Sequence, residues 1–258
     1  MTYRLGMRVD QIALQLYTVR KVAAVDLAGT LNAVRAAGYR SVEIAGLPEL
    51  SGGELRALLD EAGLTAIAAH QDIARLRAGV DEVADWLAAV GSPRVIVPWL
   101  PEEERRTADG VRAFAAELNG YAQQLGDRGI RLGYHNHSFE FAPLDGTTVW
   151  DVLLAEFAPD VDLELDVYWA SVGGRDPVAE IQAAPDRIRL LHMKDRSAGA
   201  EPRDAPAGEG TLDVPGIVDV GREAGVEWYI AEQDEPQDAL RDVATAYRNL
   251  ELIASRSP

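Results

Sequence analysis

Short β-branched, apolar runs alternate with amphipathic stretches along the whole chain, and that alternation leaves few architectures open. The runs are Ile12–Tyr17, Arg40–Ile44, Thr65–His70, Arg94–Trp99, Ile130–His135, Val161–Val167, Ile188–His192 and Trp228–Glu232, eight in all. Between them lie segments such as DLAGTLNAVRAAG, GELRALLDEAG, VDEVADWLAAVG and GVRAFAAELNGYAQQLGDRG, with apolar residues at the three- and four-residue steps of an amphipathic helix. At AAGYRSVEI, EAGLTAIAA, DRGIRLGYH and EAGVEWYIAE a glycine stands where a helix must stop and an extended segment begins. Strand and helix alternating at intervals of roughly 25–40 residues mark parallel βαβ units. Eight such units in 258 residues predict a single (β/α)8 TIM barrel spanning residues 1–258. An open dinucleotide-binding sheet loses its main support, because no G-x-G-x-x-G follows the first run. The Gly/Pro-rich piece Ser197–Gly210 reads as a long loop between strands seven and eight rather than a linker.

Composition removes several function classes. A net charge of −17 repels a phosphate backbone, so nucleic acid is not expected as a partner. With no cysteine there is no disulfide, no thiolate zinc site and no thiol nucleophile. No stretch has the apolar length of a membrane helix, and MTYRLGMRVDQ lacks the apolar core of a signal peptide. A cytoplasmic enzyme is the expectation.

In a barrel of this kind the active site forms at the C-terminal ends of the strands. All four histidines fall there: His70 ends run three, His135 and His137 end run five, and His192 ends run seven. Glu43, Asp166 and Glu232 close runs two, six and eight. Asp166 follows Glu164 with period two, so both face the same side, and a carboxylate inside an apolar strand must be paired or metal-bound. Asp166, His192 and Glu232 therefore read as ligands of one divalent metal. Histidine and carboxylate without cysteine suit Mn²⁺ first, with Mg²⁺, Co²⁺ or Zn²⁺ also compatible.

The stretches YHNHSFEF (134–141), LELDVYW (163–169), HMKDR (192–196), GEGTLDVPGI (208–217) and AEQDEP (231–236) resemble the xylose-isomerase-like barrels over essentially the whole chain. That group includes ketose 3-epimerases, inosose dehydratases, dehydroshikimate dehydratases and endonuclease IV nucleases. The resemblance implies one metal held by an acid from strand five, an Asp from strand six, a His from strand seven and a Glu from strand eight. The last three carry over to Asp166, His192 and Glu232. Where the epimerases show a Glu, this chain presents His135, and His137 or Glu140 are the alternatives for the fourth ligand.

The expected activity is a metal-dependent sugar isomerase or epimerase. It removes a proton α to the carbonyl of a keto-sugar or cyclitol, with Glu232, His137 and Lys194 as catalytic candidates. Glu43, His70, Trp99, Glu140, Trp169 and Arg196 are the substrate-binding candidates. A lyase or dehydratase is the close alternative, because HMKDR followed by GEGTLDVPGI is similar to the inosose dehydratases. An endonuclease IV-like nuclease or a non-catalytic sugar-binding barrel is more remote. Lys194, Arg196 and the Gly208–Gly210 loop could accept a phosphate, but Glu209 within the loop favours an uncharged sugar. A homodimer fits the architecture.

Overall fold

The structure is a computed structural model that describes residues 7–256, so most of the N-terminal stretch discussed above lies outside the described residues. Eight parallel strands close on themselves in sequence order: β1 (Ile12–Gln15), β2 (Ser41–Ile44), β3 (Thr65–His70), β4 (Arg94–Val97), β5 (Arg131–His135), β6 (Val161–Asp166), β7 (Ile188–Arg196) and β8 (Trp228–Ala231). Pairing of β1 with β8 and of β6 with β7 completes the ring, so the expected (β/α)8 barrel is what forms. The outer helices include α1 (Leu27–Ala37), α2 (Gly52–Ala62), α3 (Val80–Val90) and α4 (Ala108–Gly126). Their starts are chemically specified: Asp26 caps α1, Ser51 and Glu54 form a capping box on α2, and Thr107 caps α4. Gly63 ends α2 in the left-handed region at φ 70°, where a side chain would be strained.

Strand limits differ from the sequence expectation at the site end. β1 stops at Gln15, because Leu16–Val19 wind into a 3-10 turn. β4 stops at Val97 and leaves Trp99 in a loop, while β8 stops one residue before Glu232. β7 runs four residues past His192 because Asp204–Pro206 folds back and pairs antiparallel with Lys194–Arg196. The segment read as a long loop is thus partly a hairpin arm.

The interior of the barrel is layered. Its floor is ionic: Arg94 donates to Asp162 at 2.8 Å and to Glu227 at 2.6 Å, and Arg131 pairs with both acids. Above it Ala13, Ile67, Ala68, Ile96, Leu190 and Ile230 form a small apolar plug. Above that plug the interior turns polar again, and the candidate site begins. Strand β6 crosses all the polar levels, since Asp162, Glu164 and Asp166 point inward while Leu163 and Leu165 join the outer core. Irregular pairing helps aim two histidines inward. Val42 pairs with Ala66 but Glu43 with Ala68, so β3 carries one extra residue and His70 turns into the barrel. A similar insertion at Arg189 lets Leu190 and His192 face inward from β7.

The turn after β5 is held by Glu140. This side chain is fully buried, accepting from Tyr134 Oη at 2.6 Å and from the His137 amide at 2.8 Å. Burial pushes its carboxyl up to about 7, against the pull of those two donors. A folded-state pKa above the ordinary carboxylate value means the native chain keeps a proton that the unfolded chain has lost. The associated stability is complete below the unfolded value and is lost as pH rises towards 7. Melting curves from pH 5 to pH 8 should show the wild type losing ground to Glu140→Gln as pH rises. Parallel curves would contradict this assignment.

Candidate metal centre

The C-terminal mouth gathers its ionisable groups around one buried oxygen. Glu164 Oε2 lies 2.8 Å from His70 Nε2, 3.0 Å from His135 Nδ1 and 3.1 Å from His192 Nε2. Glu43 Oε2 approaches His192 Nε2 at 2.6 Å and is itself held by Gln15 Nε2 at 2.9 Å. Glu43, Glu164, Asp166 and His192 are all completely buried.

Three imidazoles around one carboxylate cannot all be cations. His192 is pressed between Glu164 and Glu232, and although burial opposes its charge, those two carboxylates hold its pKa well above the usual range. His70 is raised to about 10, because Glu43 and Glu164 outweigh its burial. His135 goes the other way, to about 3, through burial and the repulsion of His192. A neutral His135 that donates Nδ1–H to Glu164 carries its lone pair on Nε2, which lies 4.0 Å from Asp166 Oδ2. His192 meanwhile turns Nδ1 to Glu232 Oε2 at 2.6 Å. Each of the two histidines is thus tethered through one ring nitrogen and presents the other to the carboxylates at the mouth, the usual arrangement behind a metal ligand.

Asp166, His192 and Glu232 offer ligand atoms that all lie within 4.8 Å of one another. His70, His135, Glu164 and His192 make a second such set, with Glu164 at its centre. Asp166 is oriented at both ends. Its backbone amide donates to Asn136 Oδ1 at 2.9 Å, and its Oδ1 accepts from the Trp169 amide at 2.9 Å. Asp166 Oδ2 is buried and accepts no hydrogen bond, as is true of Glu43 Oε1 and Glu164 Oε1. Lys194 Nζ reaches Asp166 Oδ2 at 2.9 Å as an ion pair without hydrogen-bond geometry. Burial lifts Asp166 to about 6, against Lys194 and His192. Burial would lift Glu232 as well, yet the Lys194 and His192 charges hold it well below the carboxylate range. Buried oxygens without hydrogen bonds, two imidazole nitrogens and a surplus of carboxylates fit a divalent cation.

The expected site residues sort into three places. His135, Asp166, His192, Glu232 and Lys194 come together. His70 joins them from β3, and Glu43 is fully buried against His192 at 2.6 Å. His137 stands at the opening, kept neutral and pushed down to about 2 by burial and by His135. It packs against Trp99, Phe139 and Trp169, with ring centroids 5.2, 5.6 and 5.9 Å away, so both expected tryptophans flank it. Glu140 stands apart, its carboxylate occupied by Tyr134 and His137. Arg196 Nε is buried without a hydrogen bond. A cavity of about 300 Å³ opens over the set, lined among others by Tyr17, His70, His135, His137, Lys194, Glu232 and Asp234.

The Gly208–Gly210 loop, weighed as a phosphate site and disfavoured because of Glu209, is already occupied by protein. Gly208 and Gly210 donate their amides to Asp195 Oδ2 at 3.0 and 2.9 Å, and Leu212 donates to Oδ1 at 3.0 Å. With those amides held by an internal carboxylate, the loop has lost the donors an anion would need. Sequence reasoning missed this role of Asp195, and it missed Gln15, Asn136 and Asp234 as well. For Glu164 the signal was present in its period-two spacing from Asp166.

No helix among the described residues is long and apolar enough to cross a membrane. No curated protein matches the chain. Among solved structures it is similar to a sugar phosphate isomerase/epimerase from Parabacteroides distasonis ATCC 8503, with 25% identity over 93% of this chain and 96% of that one and a TM-score of 0.81. It shares its fold with the IolI protein bearing a zinc atom, at 16% identity over 95% and 98% of the two chains and a TM-score of 0.74. An L-ribulose 3-epimerase shares it too, at 16% identity over 96% and 95% and a TM-score of 0.71. The model for the xylose isomerase-like TIM barrel matches residues 31–250, and the chain belongs to that family.

Proposed function

We propose that this barrel is a divalent-metal-dependent sugar isomerase or epimerase that removes a proton α to the carbonyl of a keto-sugar or cyclitol. The observation that carries the reading is the convergence of Asp166, His192 and Glu232, whose ligand atoms lie within 4.8 Å of one another, with His135 Nε2 4.0 Å from Asp166 Oδ2, under an open cavity. These four residues would hold the ion, Mn²⁺ in the first instance, and when bound it would supply Lewis acidity towards a substrate carbonyl.

The remaining chemistry belongs to the chain. Glu232 is kept ionised by Lys194 and His192 and is the candidate acceptor of the α-proton. His137 lines the same cavity as a neutral imidazole whose protonation is disfavoured by burial and by His135, so it can hydrogen-bond a substrate hydroxyl rather than carry a proton. Lys194, whose ammonium is held well above its usual range by Asp166 and Glu232 despite burial, is the available donor to a substrate oxygen. Trp99 and Trp169 beside His137 give an aromatic wall for the C–H face of a sugar ring. With the phosphate cradle filled by Asp195, an uncharged sugar fits better than a phosphorylated one.

A second reading, β-elimination, draws on two observations. Glu140 is withdrawn, so run five puts no second carboxylate in the mouth, and the Lys194 ammonium sits 2.8 Å from Glu232, where it could protonate a departing hydroxyl.

Incubation of Mn²⁺-loaded protein with a panel of keto-sugars and cyclitols in D₂O should place deuterium at an α-carbon of at least one. Glu232→Gln should slow that exchange by about 100-fold or more. A saturated isomer or epimer as product supports the first reading and an unsaturated product the second, while no exchange across the panel contradicts both.

Glu164→Gln should weaken Mn²⁺ binding by roughly 10–100-fold in a calorimetric titration, because His135 loses the carboxylate that orients it. An unchanged affinity would remove Glu164 from that role.

A further inference from the structure

Lys194 sits on the oxygens that the metal reading needs. Its ammonium is 1% exposed, and lies 2.9 Å from Asp166 Oδ2 and 2.8 Å from Glu232 Oε2. Both atoms belong to carboxylates of the Asp166–His192–Glu232 donor set. An ammonium in contact with two ligand oxygens neutralises them, but it also repels a divalent ion approaching the same pair. A lysine with no other partner could be dislodged only by leaving its charge buried and unpaired.

Lys194 does have another partner. Asp234 Oδ2 lies 2.9 Å from Nζ, on the residue two beyond Glu232 and nearer the solvent, with its side chain 30% exposed. Asp234 is fixed in place, because its backbone amide donates to Asp204 on the hairpin arm that pairs with β7. On the other side the Trp169 ring lies 5.7 Å from Nζ and offers the ammonium its face. The side chain therefore has a berth that does not involve the ligand oxygens.

We propose that Lys194 is the resident counter-cation of the metal-ligand set, which an incoming divalent ion displaces towards Asp234. The inference rests on the metal reading above and adds to it how that site is regulated. The lysine stabilises Asp166 and Glu232 when no ion is bound, and the same contact weakens the site for metal. Asp234 reduces the competition by holding the displaced charge, so metal loading and the position of this ammonium are coupled.

The two residues should then act in opposite directions, which a merely structural role would not produce. The test is calorimetric titration of the chelator-stripped full chain with MnCl₂, beside melting curves of the metal-free proteins. Lys194→Met should bind Mn²⁺ at least tenfold more tightly than wild type while melting lower without metal. Asp234→Asn should bind about tenfold more weakly, and the double variant should resemble Lys194→Met. Lys194→Gln, which removes the charge but keeps a polar chain, should also tighten binding and serves if the methionine variant does not fold. Wild-type binding that neither lysine variant improves would overturn the proposal and leave the metal reading standing. No Mn²⁺ binding by wild type or variants would overturn both.

Discussion

One buried oxygen, Glu164 Oε2, organises the mouth of this barrel. A carboxylate at the centre of an apolar fold is expensive, and it is tolerated here because three imidazoles from β3, β5 and β7 surround it. The cost of burying it is offset by order. Glu164 fixes which nitrogen of His135 carries a proton, and it ties down one nitrogen of His192. Remove that anchor and the His135 ring is free to turn, while His192 keeps Glu43 and Glu232.

The same strand links the site to the base of the fold. Along β6, Asp162 belongs to the ionic floor, Glu164 to the histidine layer and Asp166 to the mouth, each two residues from the last. The apolar plug between floor and mouth separates two charged layers that would otherwise share counter-charges. Its acids at the floor are matched by Arg94 and Arg131. In the mouth, carboxylates outnumber cations, and that imbalance makes the upper layer, unlike the floor, a fit for a divalent ion. Lys194 makes up part of the difference.

Most of the architecture was legible because it rests on periodicity. The alternation of runs and amphipathic stretches is a local property, and it closed into the expected barrel. The strand-end rule picked out His192, Asp166 and Glu232, which the fold brings within 4.8 Å of one another. What escaped depends on contacts that no period records. Alternation put His135 and His137 on one face and left Glu140 available. The outcome turned on Tyr134 capturing Glu140 and on Glu164 capturing His135. The inward turn of His70 goes with an extra residue in β3 that alternation cannot show. Glu43 was expected to bind substrate, but its carboxylate is fully buried against His192 and Gln15. Glu209 already argued against an external anion at the glycine-rich loop, but the loop's capture of the chain's own Asp195 left no trace in the sequence pattern.

The central claim is that Glu164 aims His135 Nε2 and His192 Nδ1 at an ion shared with Asp166 and Glu232. Anomalous scattering from a crystal grown with Mn²⁺ tests it most directly. One strong peak is expected at the mouth, within coordination distance of those two nitrogens and of both carboxylates. A peak among Glu43, His70 and Glu164 instead, or none at any Mn²⁺ concentration the crystal tolerates, would contradict it.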